Sequence, residues 1–233
     1  MPNPKPIKRD DLEKDLGVVF KKKELLKEAL THRSYLNEHP VPYGHNERLE
    51  FLGDAVIELI ITEYLFKKFP EKAEGELTNL RAALVRKETL FEIAENLRLL
   101  KHLKLSQGEQ RNIEKSKVSL AADAFEAVAG AIYLDQGITK TKNFLNEKLV
   151  PVLEAILKEK RHIDPKSRLQ EITQAKYGTA PDYRVLEEEG PDHSKSFTMG
   201  VYLNEKLLAT GRGPSKQEAE QAAAREALEE NSI

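Results

Sequence analysis

The sequence predicts two domains: an all-α domain over residues 1–160, then a small α+β domain of order αβββα over residues 161–233, with the boundary near 161–163. Three observations lead there. From about Asp10 to Lys160 apolar residues recur at spacings of three and four, the period of a half-buried helix. Beyond the charged stretch KEKRHIDPKSR, broken by Pro165, the period changes to two, as strands require. A chain of 233 residues with 39% apolar content can also bury a core in each of two units.

In the first domain LLKEALTH, RLEFLGDAVIELIITEYLFKKF, NLRAALVRKETLFEIAENLRLL and LAADAFEAVAGAIYLDQG each read as helix. The second of these carries Leu49, Phe51, Leu52, Val56, Ile57, Leu59, Ile60 and Ile61, which leave little circumference for water. A central, mostly buried helix is expected. In the second domain Asp164 and Pro165 supply an N-cap and a first-turn proline for a helix through RLQEITQAKYG, ended by Gly178. DYRVLEE is the first strand, and SFTMGVYL sets Phe197, Met199, Val201 and Leu203 on one face of the second. After an Asn204-Glu205 turn, KLLATG is the third strand. Ser215 and Glu218 open the last helix as a capping box.

Composition narrows the chemistry. With no cysteine there is no disulfide framework, no thiolate zinc site and no cysteine nucleophile, which suits a reducing, cytoplasmic location. No run of about 18 apolar residues exists, so no membrane association is expected. The opening MPNPKPIKRDD carries charges and prolines where a signal peptide needs an apolar stretch. Charge does not announce a nucleic-acid partner: the net is −2, and residues 161–233 hold 10 Lys plus Arg against 13 Asp plus Glu. Any basic footprint must be local.

The most informative segment is HNERLEFLGDAVIELII, where Glu47, Glu50 and Asp54 lie along one stripe of a strongly apolar helix. A second helix repeats the oddity, because Asp123 and Glu126 are nearly the only polar side chains of LAADAFEAVAGAIYL. Several buried carboxylates near each other protonate unless a cation compensates. All-oxygen ligands favour Mg²⁺, with Mn²⁺ able to substitute, over zinc, and no small-molecule cofactor is indicated. A metal-bound water of lowered pKa would be a nucleophile for a phosphodiester. The ordinary alternative stays open on spacing alone: helix acids are mostly surface charges or halves of ion pairs, Arg48, Arg81 and Arg86 are at hand, and nothing in the spacing shows that the two helices meet.

The string NERLEFLGDAV resembles the signature of the ribonuclease III family, AADAFEAVAGAIYLD is similar to that family's second acidic helix, and FPEKAEGELTNLRAALVRKETL resembles the stretch between them. The resemblance implies a ribonuclease III endonuclease domain that hydrolyses double-stranded RNA, leaves 5′-phosphates and short 3′ overhangs, and processes ribosomal RNA precursors and other structured RNAs. It implies a metal cluster of Glu50, Asp54, Asp123 and Glu126, with Asp54 and Glu126 catalytic. Glu47 and Glu74 match two further acids of the family's catalytic valley; Glu74 is preferred over Glu76 because it precedes Gly75. Phe51 matches an aromatic that inserts into a partner subunit, which implies a homodimer with one cleavage site per strand.

The αβββα segment is similar to a double-stranded RNA-binding domain. Such a domain reads A-form RNA by shape, through 2′-hydroxyls and phosphates. Gln170, Glu171 and Gln174 on its first helix would face one minor groove, and His193 in the GPDHSK loop the next. Lys216 and Gln217 at the start of the last helix would meet phosphate. The sequence departs from the usual pattern here, because Gln217 replaces a second basic residue and Glu220 stands where many such domains carry another lysine. Modest phosphate affinity of this domain alone is the expectation. Two other classes fit the sequence less well. A duplex-RNA binder without chemistry has no need of the four buried acids, and a helical phosphohydrolase of small nucleotides has no need of the second domain.

Overall fold

The structure is a computed structural model and describes residues 9–191 and 195–229. Two compact units divide the chain, residues 1–160 and 161–233. The first is helical: α1 (Arg9–Leu16), α2 (Lys23–Ala29), α3 (Arg33–Leu36), α4 (Glu47–Lys68), α5 (Glu74–Val85), α6 (Lys87–Asn96), a 3-10 turn (Leu99–Lys101), α7 (Gln107–Arg111) and α8 (Ile113–Lys158). Among the described residues no helix is long and apolar enough to cross a membrane.

The core of this unit is the packing of α4 on α8. Ile57, Ile60, Ile61 and Leu65 of α4 meet Phe125, Val128 and Ile132 of α8, all nearly inaccessible. Each such side chain stabilises the fold by about 1.5–3 kcal/mol. The crossing is close because both helices present glycine to it. A Cβ at Gly53 would lie 1.8 Å from the carbonyl oxygen of Glu126, and one at Gly130 would lie 2.3 Å from that of Leu49. Helix α8 is broken at Gly137, where φ 76° and ψ 179° fall in a region open essentially to glycine alone. The break is tied to the N-terminal segment: Asp135 accepts from the backbone N–H groups of Lys21 and Lys22, both at 2.8 Å, and Gln136 donates to the carbonyl of Val19 at 2.9 Å.

One expectation needs correction. Helix α4 is central but not buried all round: Phe51, Leu59 and Phe66 are 81%, 63% and 69% exposed along one side of it. Packing of α4 against α8, α5 and α2 leaves that one side open.

The second unit has the order α9 (Pro165–Tyr177), β1 (Asp182–Glu189), β2 (Ser196–Leu203), β3 (Lys206–Gly213) and α10 (Lys216–Glu229), with an antiparallel sheet of order β1-β2-β3. Asp164 caps α9 by accepting from Ser167 N–H at 2.7 Å, and Gly178 ends it in a left-handed conformation. The β2–β3 turn holds Asn204 and Glu205 at φ 49° and 66°, as a type I′ turn demands. Met199, Val201 and Leu203 are buried, whereas Phe197 is only partly so. The small core gathers Leu169 of α9, Val201 and Ala209 of the sheet, and Ala223, Ala224 and Ala227 of α10. Ser215 accepts from Glu218 N–H at 3.2 Å, but the Glu218 carboxylate takes the serine hydroxyl rather than closing the box on its backbone.

Candidate metal centre and nucleic-acid interface

The glycine crossing decides which acids meet. Glu50 stands one turn before Gly53, and Asp123 and Glu126 stand two turns and one turn before Gly130. With the backbones nearly touching, one carboxylate oxygen from each of Glu50, Asp123 and Glu126 lies within 4.8 Å of the others. Asp54 is on the same stripe but exposed and outside this set. Three of the four acids of the sequence-derived cluster therefore converge, and the fourth borders them.

These groups are costly as they stand. Burial raises Glu126 to about 8, and the neighbouring carboxylates of Asp54, Asp123 and Glu50 push the same way, with Lys87 opposing. Glu50 is also raised, first by burial and then by Asp123. All-oxygen donors converging from two helices, with a charge that protein alone does not neutralise, fit a hard divalent cation. Two of the arginines offered by sequence are engaged elsewhere: Arg81 donates to the Thr62 hydroxyl and Arg86 to that of Thr89. Lys87 instead pairs with Asp123 at 3.3 Å.

Glu47 is exposed at the first turn of α4, 3.4 Å from Arg33 and 3.7 Å from His45. Backbone bonds hold this corner: Asn46 N–H donates to Thr31 at 2.9 Å, and His32 N–H donates to Lys104 at 3.1 Å. His32 caps α3, and burial lowers its pKa. Glu74 is exposed at the start of α5 and accepts from the Thr78 hydroxyl at 2.9 Å. Glu76 is occupied as a cap, accepting from Ala73 N–H and from Lys72. Phe51 points away from the core. Sequence reasoning missed Gly53, Gly130 and Lys87. A glycine in a helix interior costs about 0.5–1 kcal/mol against alanine, so two in helices this apolar were a legible sign of close approach.

In the second unit Gln170, Glu171 and Gln174 are exposed on the side of α9 opposite the buried Leu169 and Thr173. Glu171 pairs with Arg168 at 3.2 Å. His193 lies outside the described residues. Lys216 and Gln217 are exposed at the start of α10, with the lysine ammonium 5.7 Å from the Phe197 ring centroid. Glu220 is turned to an internal use. It pairs with Lys166 of α9, whose ammonium also sits 4.8 Å over the Tyr183 ring, and next to it Gln221 donates to Asp164 at 2.6 Å.

Residues 22–153 match a family described as Ribonuclease-III-like, and residues 165–231 match the double-stranded RNA binding motif. The chain is 48% identical to "Ribonuclease 3" of Nitratiruptor sp. over 219 residues, 94% of this chain and 95% of that one. It is 50% identical to "Ribonuclease 3" of Carboxydothermus hydrogenoformans over 224 residues, 94% and 93% of the two chains. A solved nuclease domain of ribonuclease III from Campylobacter jejuni, described with a region involved in dimer formation, is 43% identical with a TM-score of 0.57. The match covers 61% of this chain and 96% of that one.

Proposed function

The chain belongs to the ribonuclease III family of endonucleases, and from that premise we propose that Glu50, Asp54, Asp123 and Glu126 hold Mg²⁺, with Mn²⁺ able to substitute, for hydrolysis of double-stranded RNA. The observation that carries this reading is the convergence of three carboxylates on one point from two helices. A bound divalent ion supplies a Lewis acid and a water of lowered pKa. The protein's own share is positional. Helices α4 and α8 fix the donor atoms, and Glu126, lifted to about 8, gives up its proton as the site fills. Asp54 and Glu47 edge the cluster toward solvent, from where RNA arrives, and Glu74 is a further acid of the same valley.

Two copies are needed to cut two strands. Phe51, Leu59 and Phe66 form an apolar stripe that a second copy would cover, with Phe51 as the inserted contact, giving a homodimer with paired sites. The products are 5′-phosphates with short 3′ overhangs, from ribosomal RNA precursors, messenger RNA and other structured RNAs of the cytoplasm. The second unit binds the duplex through Gln170, Glu171 and Gln174 in one minor groove, His193 in the next, and Lys216 and Gln217 on phosphate.

Replacing Glu126 with Gln tests the assignment, because it removes a charge from the cluster without removing shape. On a gel with saturating Mg²⁺, duplex RNA should be bound as tightly as by the unaltered chain yet remain uncut. Cleavage at the original rate would overturn the ligand assignment.

A further inference from the structure

We propose that Lys87 is the resident counter-cation of the acidic cluster, competing with the divalent ion at Asp123 and thereby setting the metal concentration at which the site fills. The inference rests on the metal-centre reading above. Lys87 is the first residue of α6, and its ammonium lies 3.3 Å from Asp123 Oδ1. The two ends of this pair differ: the lysine side chain is 57% exposed and the aspartate 25%. The aspartate is fixed by the helix packing, while the ammonium rides on a long stem that reaches water by rotating.

Such a pair is a placeholder. One monovalent charge offsets only part of the repulsion among Glu50, Asp123 and Glu126, so a dication remains favoured at the point where they meet. With that ion bound, Asp123 would share the oxygen it already presents toward Glu50 and Glu126, and the ammonium would become a neighbouring like charge. Lys87 thus keeps the acids assembled without metal, at the expense of affinity with it. A unit charge at the protein surface, partly screened by water, should change divalent binding by about 3- to 10-fold.

The test is titration of the full chain with Mn²⁺, read by electron paramagnetic resonance of the free ion, for the unaltered protein, K87Q and K87R. K87Q should bind Mn²⁺ about 3- to 10-fold more tightly, and K87R, which keeps the charge, should bind like the unaltered chain. Unchanged or weaker binding by K87Q would overturn the proposal, and weaker binding would mean that the lysine holds Asp123 in its liganding pose. Tighter binding by K87R as well would also overturn it, since charge would then not be the cause. If the unaltered chain bound no Mn²⁺, the metal-centre reading itself would fall, a result distinct from any difference among the variants.

Discussion

Replacing Gly53 with alanine sets two effects of known sign against each other. Alanine in a helix interior is favoured over glycine by about 0.5–1 kcal/mol. At this position, however, the new methyl would lie 1.8 Å from the Glu126 carbonyl oxygen and 2.5 Å from its carbon, both backbone atoms that no rotamer change removes. The helices must part by roughly 1.5 Å before that contact becomes tolerable. Overpacking of this kind costs about 1–3 kcal/mol and sometimes more, and it lies at the centre of the core, so the steric term should win. A net loss of about 2 kcal/mol corresponds to a melting temperature lower by roughly 4–8 °C for a unit of this size. The same displacement separates Glu50 from Glu126, so Mn²⁺ affinity should fall even at temperatures where the variant is folded. Thermal unfolding followed by circular dichroism, with and without Mn²⁺, measures both. A variant as stable as the unaltered chain or more so, with Mn²⁺ stabilising both equally, would refute the argument from close approach.

Two further outcomes are expected. Glu126 has a pKa of about 8 in the folded chain against an ordinary 4.5, so the folded state holds a proton that the unfolded state has lost between those values. Its contribution is present in full below about 4.5 and is lost as pH rises through 8, so metal-free protein should lose stability over that window, and E126Q should flatten the slope in chemical unfolding. Phe51→Glu should cost little stability in a single chain, because the ring is 81% exposed, but should yield a monomer by sedimentation equilibrium. A variant that remained dimeric would remove Phe51 from the interface.

The acids were legible because carboxylates are rare on apolar helices, and Glu50, Asp123 and Glu126 stood out by that contrast alone. Helical spacing could not separate Asp54 from Glu50, since both lie on one stripe, and the point at which α8 crosses is set by Gly53 and Gly130 rather than by the acids. The same crossing explains why Lys87, far from Asp123 in sequence, went unnoticed. The fate of the apolar residues was ambiguous on helical spacing for a different reason: Phe51 and Ile57 are both apolar, and spacing does not say that Ile57 meets the chain's own core while Phe51 does not. In the second unit local signals sufficed, because Asp164, Pro165, Gly178 and the Asn204-Glu205 turn each act within a few residues. Glu220 did not, since its partner Lys166 belongs to the helix at the other end of the unit.

The tie between the α8 break and the N-terminal segment also bears on when the fold can form. Asp135 meets Lys21 and Lys22 across 114 and 113 residues, and Gln136 meets Val19 across 117. At a synthesis rate of about 5–20 residues per second, roughly 6–23 s pass between the emergence of one side of this clamp and the other. During that interval Val18 and Phe20, buried in the finished unit, have no completed core to enter. Closure of the nuclease unit is therefore a late event in the life of the nascent chain, gated by the arrival of one carboxylate and the glycine two residues beyond it.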